Sequence, residues 1–163
     1  MTDDTLEQIR TQLERLRALA RSAELSARND RVSAWCLAEQ VDHITKVSAS
    51  IVGVLGDASA VPVSRGVNFV GRLVLLFRWI PRGVGKSPRR FVPAAAGDPA
   101  DLDAALARLA QAFEALPFDT LRTSRVPLVP HPKFGGLTPP QALDFLVVHT
   151  AHHLKIIDDI VRA

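Results

Sequence analysis

The chain has 163 residues, 47% of them hydrophobic, and a net charge of +3, which suits a single soluble globular domain spanning residues 1–163. The only cysteine, Cys36, excludes an internal disulfide framework and a cysteine-rich zinc ribbon. The longest apolar stretch, residues 67–80, contains two arginines and is shorter than the roughly 20 residues of a membrane span. Because the first residues are acidic and do not resemble a presequence, we expect a cytoplasmic protein with no membrane partner.

Positive charge is concentrated in residues 58–97, here called the basic segment. The segment contains seven basic residues and no aspartate or glutamate, so its charge is +7 and the rest of the chain carries −4, against a total of +3. Such a segment can bind nucleic acid, a membrane surface or an anionic small molecule, or it can be a solvated loop with surface arginines. Aromatic residues do not alternate with these bases as they do in proteins that stack nucleobases, so nucleic acid is the least favoured partner.

Apolar residues at spacings of three and four predict helices in the first half of the chain. One helix is predicted from Thr5 to about residue 27, and a second from Ser33, as its N-cap, to about residue 55. Residues 67–80 are apolar on nearly all sides and predict a third helical stretch that ends at Pro81. Prolines and glycines in residues 81–97 predict a long crossover loop.

Two helices are predicted in the second half of the chain. Asp98 followed by proline indicates the start of an alanine-rich helix that reaches about residue 116. The residues expected to face the core are Leu102, Ala105, Leu109 and Phe113. Residues 117–136 predict an irregular connection, and Thr138 begins a capping box for a final helix to about residue 162. We therefore predict an all-α fold, a four-helix bundle with long crossover connections.

The apolar seam of the last helix contains two histidines, His149 and His153. Four residues separate them, so their Cβ atoms lie roughly 5–6 Å apart on one helix face, and such a pair can bind one metal ion. His43 lies midway along the second predicted helix, and inward side chains of facing helices form metal sites in bundles. Three histidines would leave a coordination position open, as in catalytic zinc sites. The alternative is that these histidines pack in the core or lie at the surface.

Two further histidines are candidate catalytic residues. His152 lies about 100° from His153 around the helix, at the margin of the predicted site or in a helix–helix contact. His131 begins a His-Pro-Lys-Phe-Gly-Gly segment shortly before the last helix. It could face the metal as an acid, a base or a hydrogen-bond donor, with Phe134 as an apolar wall, or it could point to water while Phe134 anchors the loop.

Three motifs carry a resemblance to a known family. Trp35-Cys36 followed by His43 resembles the second-helix motif of the DinB-like superfamily, in which a Trp-Ser pair precedes a metal-binding histidine. The His-Pro-x-Phe-Gly-x-Leu-Thr motif from His131 and the His-x-x-His-His-Leu motif from His149 are similar to an uncharacterised DinB-related subgroup. The resemblance implies a DinB-like four-helix bundle in which His43, His149 and His153 hold zinc, nickel or iron.

The resemblance also implies an activity. Characterised members of the superfamily include thiol-dependent transferases and isomerases that use mycothiol, bacillithiol or glutathione-like thiols. We therefore predict a metal-dependent thiol S-transferase that acts on a small electrophilic substrate, with Arg82, Arg89 and Arg90 holding the carboxylates of a low-molecular-weight thiol. A metal-dependent hydrolase and a non-catalytic metal-binding or interaction bundle are the alternatives, and analogy to the family favours a homodimer.

Two residues depart from the family pattern. Cys36 stands where serine is usual, and Ile156 stands where the subgroup often has glutamine. Seven residues of helix, about 10.5 Å, separate Cys36 from His43, so the two side chains cannot share a metal ion. We predict that Cys36 is a small buried side chain and not a nucleophile.

Overall fold

The computed structural model describes residues 3–83, 87–93 and 98–162, and most of these residues are helical. The α-helices of this part are α1 (Asp3–Ala20), α2 (Leu37–Gly56), α3 (Phe69–Phe77), α4 (Pro99–Glu114), α5 (Phe118–Thr123) and α6 (Pro139–Arg162). A 3-10 turn covers Arg89–Phe91, and β1 (Val129–His131) pairs antiparallel with β2 (Gly135–Leu137). This content agrees with the predicted all-α class, apart from the small hairpin.

The four longest described helices share one hydrophobic core. α1 packs against α4 and α6, and α2 packs against the same two helices. The apolar stripes of α1 and α2 therefore face α4 and α6, and burial of each large side chain contributes about 1.5–3 kcal/mol. Fully buried core residues include Leu16, Val41, Ile44, Leu106, Phe113, Leu143 and Ile157.

The predicted starts of the last two long helices are confirmed. The Asp98 side chain accepts a hydrogen bond from the Ala100 N–H, and Pro99 occupies the first turn of α4. The Thr138 N–H donates to Gln141 Oε1 at the start of α6. One inward residue was predicted wrongly: Leu106 is buried in α4, whereas Ala105 is partly exposed, because the buried stripe advances by four, three and four residues from Leu102.

Helix α1 ends earlier than predicted, at Ala20, and α2 begins later. The reason is that the first N–H groups of a helix need acceptors outside it. The N–H groups of Leu37 and Ala38 find theirs in the carbonyl groups of Ala27 and Leu25, at 2.9 Å each, so the chain from residue 21 folds back in turns onto the start of α2. Continuation of α1 to residue 27 would remove both acceptors.

The predicted N-cap of the second helix, Ser33, is wrong. Cys36 occupies that position, and its N–H donates to Glu39 Oε2 at 2.7 Å. Ser33 instead accepts hydrogen bonds from the Trp35 N–H and the Gln40 side-chain amide. Cys36 is buried, as predicted.

The third helical stretch is shorter than predicted, and most of its residues are exposed. α3 begins after Asn68, whose side chain accepts from the Gly71 N–H, and it ends at Arg78, which adopts the left-handed conformation at φ 49°. Only Gly71 and Val74 of this helix are buried. Among the described helices, none combines the length and the apolar character that a bilayer-spanning segment needs.

The two connections are more structured than predicted where they are described. Residues 117–136 contain α5 and strand β1, whose three residues are too few to show an alternating pattern. The crossover loop contains the 3-10 turn Arg89–Phe91. Residues 84–86 and 94–97 lie outside the described residues. The first of these ranges includes Lys86, one of the seven bases of the basic segment.

Candidate metal centre

Three histidines meet where α2 packs against α6. His43 belongs to α2, His149 and His153 belong to α6, and each residue is no more than 8% exposed. One ring nitrogen from each lies within 4.8 Å of the others, and the Nε2 atoms of His43 and His149 are 3.2 Å apart. Two nitrogens that bind one tetrahedral zinc ion at 2.0–2.1 Å lie about 3.3–3.4 Å apart. The His43–His149 spacing therefore fits a divalent metal ion.

Hydrogen bonds orient two of the three rings. Nδ1 of His43 lies 2.7 Å from the Phe91 carbonyl oxygen, and Nδ1 of His153 lies 2.7 Å from Gln40 Oε1. The Gln40 amide nitrogen donates to Ser33 Oγ, which leaves its oxygen for the ring. Because both partners are acceptors, Nδ1 carries the proton in each ring and Nε2 keeps its lone pair. Metal-binding histidines are held in this way in known sites.

The hydrogen-bonding groups of His149 are the least well satisfied among the three histidines. Its Nδ1 is buried and has no hydrogen-bond partner among the described residues, and its Nε2 faces the Nε2 of His43. A hydrogen bond between these two atoms would need the proton on His149 Nε2, and Nδ1 would then be a buried acceptor without a donor, at a cost of about 1–3 kcal/mol. Ligation of a cation by both Nε2 atoms places the His149 proton on Nδ1, which stays unpaired, but it uses both Nε2 lone pairs, so the donor set fits a metal.

The environment keeps the three imidazoles neutral. Burial lowers the pKa of His43 despite the opposing effect of its bond to Phe91. Burial and the neighbouring imidazoles lower the pKa of His149 well below 6.5 and that of His153 to about 2. A neutral imidazole is the form that binds a metal, so the site is ready for an ion at neutral pH.

The histidine cluster opens into a cavity of about 730 Å³, a size typical of small-molecule sites. Its walls are mainly apolar, and the basic side chains of Arg90 and Lys133 also line it. Its large apolar wall residues include Trp35, Ile51, Ile80, Phe91, Phe134 and Phe145. A cavity of this kind can hold a small amphiphilic anion next to the three histidines.

A family model described as "Protein of unknown function (DUF1569)" matches residues 2–159. The chain belongs to this family. No curated protein and no solved structure matched the chain. The DUF1569 description names no activity, so the function has to be argued from the site.

His131 lies in the cavity wall of this DUF1569 chain. Its ring stacks on Phe134 with the centroids 4.0 Å apart, and it meets the edge of Phe145, which also contacts His149. His131 Nδ1 accepts hydrogen bonds from the N–H groups of Lys133 and Phe134, so Nε2 carries the proton of the neutral ring. Burial, with the charge of Lys133, lowers the pKa of His131 to about 4. The residue is a neutral hydrogen-bond donor at pH 7.

His152 lies beside the three-histidine cluster and also lines the cavity. Its ring is 5.1 Å from the His153 ring, centroid to centroid, and it is hydrogen-bonded to the Ile80 backbone. Burial, with the nearby Arg82 charge, lowers the pKa of His152. This marginal position is the one that the helical spacing predicted.

The three predicted arginines lie in different places. Arg90 lines the cavity, and its guanidinium lies 4.6 Å from the centre of the Phe91 ring. Arg82 forms an ion pair with Asp159 at 2.8 Å, and Arg89 is exposed in the 3-10 turn; neither lines the cavity. Of the three, the structure brings Arg90 alone to the cavity.

Three parts of the site were missed by the sequence reasoning: Gln40, Lys133 and the Phe91 carbonyl group. Gln40 precedes His43 by three residues on the same helix face, and a glutamine among buried apolar positions was a usable signal. Lys133 lies within the His-Pro-Lys-Phe motif but gave no signal of its own. The Phe91 carbonyl depends on the path of the crossover loop, which no local pattern predicts.

Proposed function

We propose that this protein is a divalent-metal-dependent enzyme built on a DinB-like four-helix bundle, with His43, His149 and His153 as the metal ligands. The shared core of α1, α2, α4 and α6 and the three motifs described above support the bundle. One observation carries the proposal: buried neutral imidazoles from two helices converge at a cavity, and two of them have Nδ1 bound to a fixed acceptor. A histidine that only packs in a core also needs an acceptor for its N–H, but it does not need two further imidazole nitrogens within 4.8 Å.

The reaction that the cavity supports best is thiol S-transfer to a small electrophile. A zinc, nickel or iron ion held by the three histidines would act as a Lewis acid and lower the pKa of a bound thiol. Arg90 and Lys133 bind the carboxylates of an anionic low-molecular-weight thiol. The Nε2–H of His131 donates a hydrogen bond to negative charge that develops on the electrophile, and the aromatic walls keep water away.

Two alternatives use the same residues differently. In a hydrolase, water takes the place of the thiol, and the basic side chains hold an anionic substrate. In a non-catalytic bundle, the histidines only bind metal or pack. Arg90 and Lys133 in the cavity wall favour an enzyme with an anionic ligand over the non-catalytic bundle, and a requirement for thiol separates the transferase from the hydrolase.

The test begins with elemental analysis of protein purified without a histidine tag, followed by a panel of thiols with a haloaromatic electrophile. We expect bound divalent metal and thiol-dependent turnover. Arg90→Gln should raise KM for an anionic thiol with little change in kcat, and Arg89→Gln, on the exposed neighbour, is the matched control. Turnover without a thiol would favour the hydrolase. Metal-free protein with an unchanged Tm after chelation would contradict the proposal.

A further inference from the structure

We propose, in place of the sequence-based expectation of no membrane partner, that the outward side of α3 binds the surface of an anionic phospholipid bilayer. This side, here called the α3 face, consists of Phe69, Val70, Leu73, Leu76, Phe77 and Trp79. The inference concerns a surface outside the metal cluster and stands independently of the proposed enzyme activity.

The α3 face consists of large apolar side chains that are exposed. Phe69, Leu76, Phe77 and Trp79 are 73%, 72%, 69% and 61% exposed. At about 100° per residue, the helical members of the face span an arc of roughly 120° on α3, and the buried Gly71 and Val74 lie outside this arc. Single exposed apolar side chains are ordinary, but a cluster with four large residues mostly in solvent marks an interaction surface.

The packing beneath α3 holds this face outward. The Asn68 N–H donates to the Phe134 carbonyl at 2.7 Å, and the Asn68 side chain donates to the Lys133 carbonyl. A Cβ atom at Gly71 would lie 2.7 Å from the Phe134 Cβ, so the helix touches the hairpin loop at a position that only glycine fills. Rotation of the apolar side inward would break these contacts. The exposure of the α3 face is therefore part of the fold.

The charge around the face indicates what binds there. Arg65, Arg72 and Arg78 are exposed, and none of the three forms an ion pair within the described ranges; Arg78 donates to the uncharged Gln8 side chain. The basic segment to which they belong has no acidic residue. Aromatic and aliphatic side chains next to arginines are typical of helices that lie at the surface of anionic membranes.

Charge also argues against a second copy of the chain as the occupant. A symmetric dimer through the α3 face would bring the same patch of both copies together and place these arginines near their equivalents. Anionic lipid headgroups instead complement the arginines, while the aromatic side chains enter the headgroup region. Ile80 and Pro81, which follow α3, line the cavity, so docking brings this part of the cavity wall near the bilayer.

Vesicle co-sedimentation of the full chain tests the inference. We expect binding to vesicles with phosphatidylglycerol at least about tenfold tighter than to pure phosphatidylcholine, weakening as salt rises. The variant F69S/L76S/F77S should lose binding to both vesicle types, and R65Q/R72Q should lose the preference for phosphatidylglycerol. The matched control V126S/V161S, which changes exposed valines elsewhere, should bind like the natural chain.

Two results would overturn the inference. One is the absence of binding to phosphatidylglycerol vesicles by the natural chain while its circular dichroism shows a folded protein. The other is a dimer in sedimentation velocity that F69S/L76S/F77S converts to monomer, since the face would then be an interface between copies. Because the readout is vesicle binding, failure of the enzyme proposal would leave this result unaffected.

Discussion

The Nε2 atoms of His43 and His149 lie 3.2 Å apart, although 106 residues separate the two histidines in the chain. The contact exists because α2 and α6 pack side by side with both rings in their interface. His153, one turn further along α6, completes the cluster. Substitutions in and around these rings test the site.

Loss of any one of the three histidines should abolish stable metal binding. Replacement of His43, His149 or His153 by alanine leaves two protein ligands, one fewer than catalytic zinc sites have. We expect elemental analysis to show about one ion per natural chain and a strongly reduced content in each variant. His152→Ala is the control and should keep its metal. Full metal content in His149→Ala would show that the cluster is not the binding site.

Gln40 should act on metal affinity through His153. Gln40→Leu removes the acceptor for the His153 Nδ1–H and frees the ring to turn. Loss of such an orienting hydrogen bond lowers metal affinity by about 10–100-fold. Competition with a chromophoric chelator measures the change. Gln12→Leu, which removes a glutamine hydrogen bond to the Val147 carbonyl elsewhere in the core, is the matched control. Equal affinities in the two variants would contradict the role of Gln40.

Two helical glycines should respond oppositely to alanine. At Gly71, a new Cβ atom would lie 2.5 Å from Val67 Cγ2 and 2.7 Å from Phe134 Cβ. We expect Gly71→Ala to lower the free energy of unfolding by about 1–3 kcal/mol. At Gly53 in α2, nothing lies within 4 Å of a new Cβ atom, so Gly53→Ala should stabilise the protein by about 0.5–1 kcal/mol. Urea unfolding compares them, and a neutral Gly71→Ala would disprove the close contact.

His131 should make the protein less stable in acid. Its pKa falls from 6.5 to about 4 in the folded chain, so the unfolded chain binds the proton more tightly. The stability contribution of the neutral ring is therefore complete above pH 6.5 and is lost as the pH falls from 6.5 to 4. His131→Asn keeps an acceptor for the two backbone N–H groups but does not titrate. Urea midpoints with a chelator present should fall less between pH 7 and 5 in this variant, and parallel falls would rule the effect out.

Cys36 should be inert in the folded protein. The residue is 5% exposed, and its N–H is bound to Glu39 at the start of α2. A chromogenic thiol reagent should react slowly in buffer and rapidly in urea, because only unfolding exposes the sulfur. Rapid labelling of the folded chain with loss of thiol-transfer activity would point to a nucleophile instead.

Local sequence rules were enough to predict several helices of this protein and part of its histidine cluster. The start signals at Asp98 and Thr138 predicted α4 and α6, because helix capping depends on residues within one turn. The His149–His153 pair followed from helical spacing in the same way. Adding His43 required the assumption that α2 faces α6, which the apolar stripes and the family resemblance both favoured.

Tertiary structure alone decided what surrounds the three rings. The Phe91 carbonyl and Arg90 reach the site because the crossover loop passes over it, whereas Arg82 turns to Asp159. Contacts between residues far apart in the chain cannot be predicted from a local sequence pattern. The direction of α3 was equally undetermined, since a stretch that is apolar on nearly all sides has no inward face of its own. The close contact between Gly71 and Phe134 determines which side of α3 is buried, because any larger side chain at position 71 would clash with Phe134.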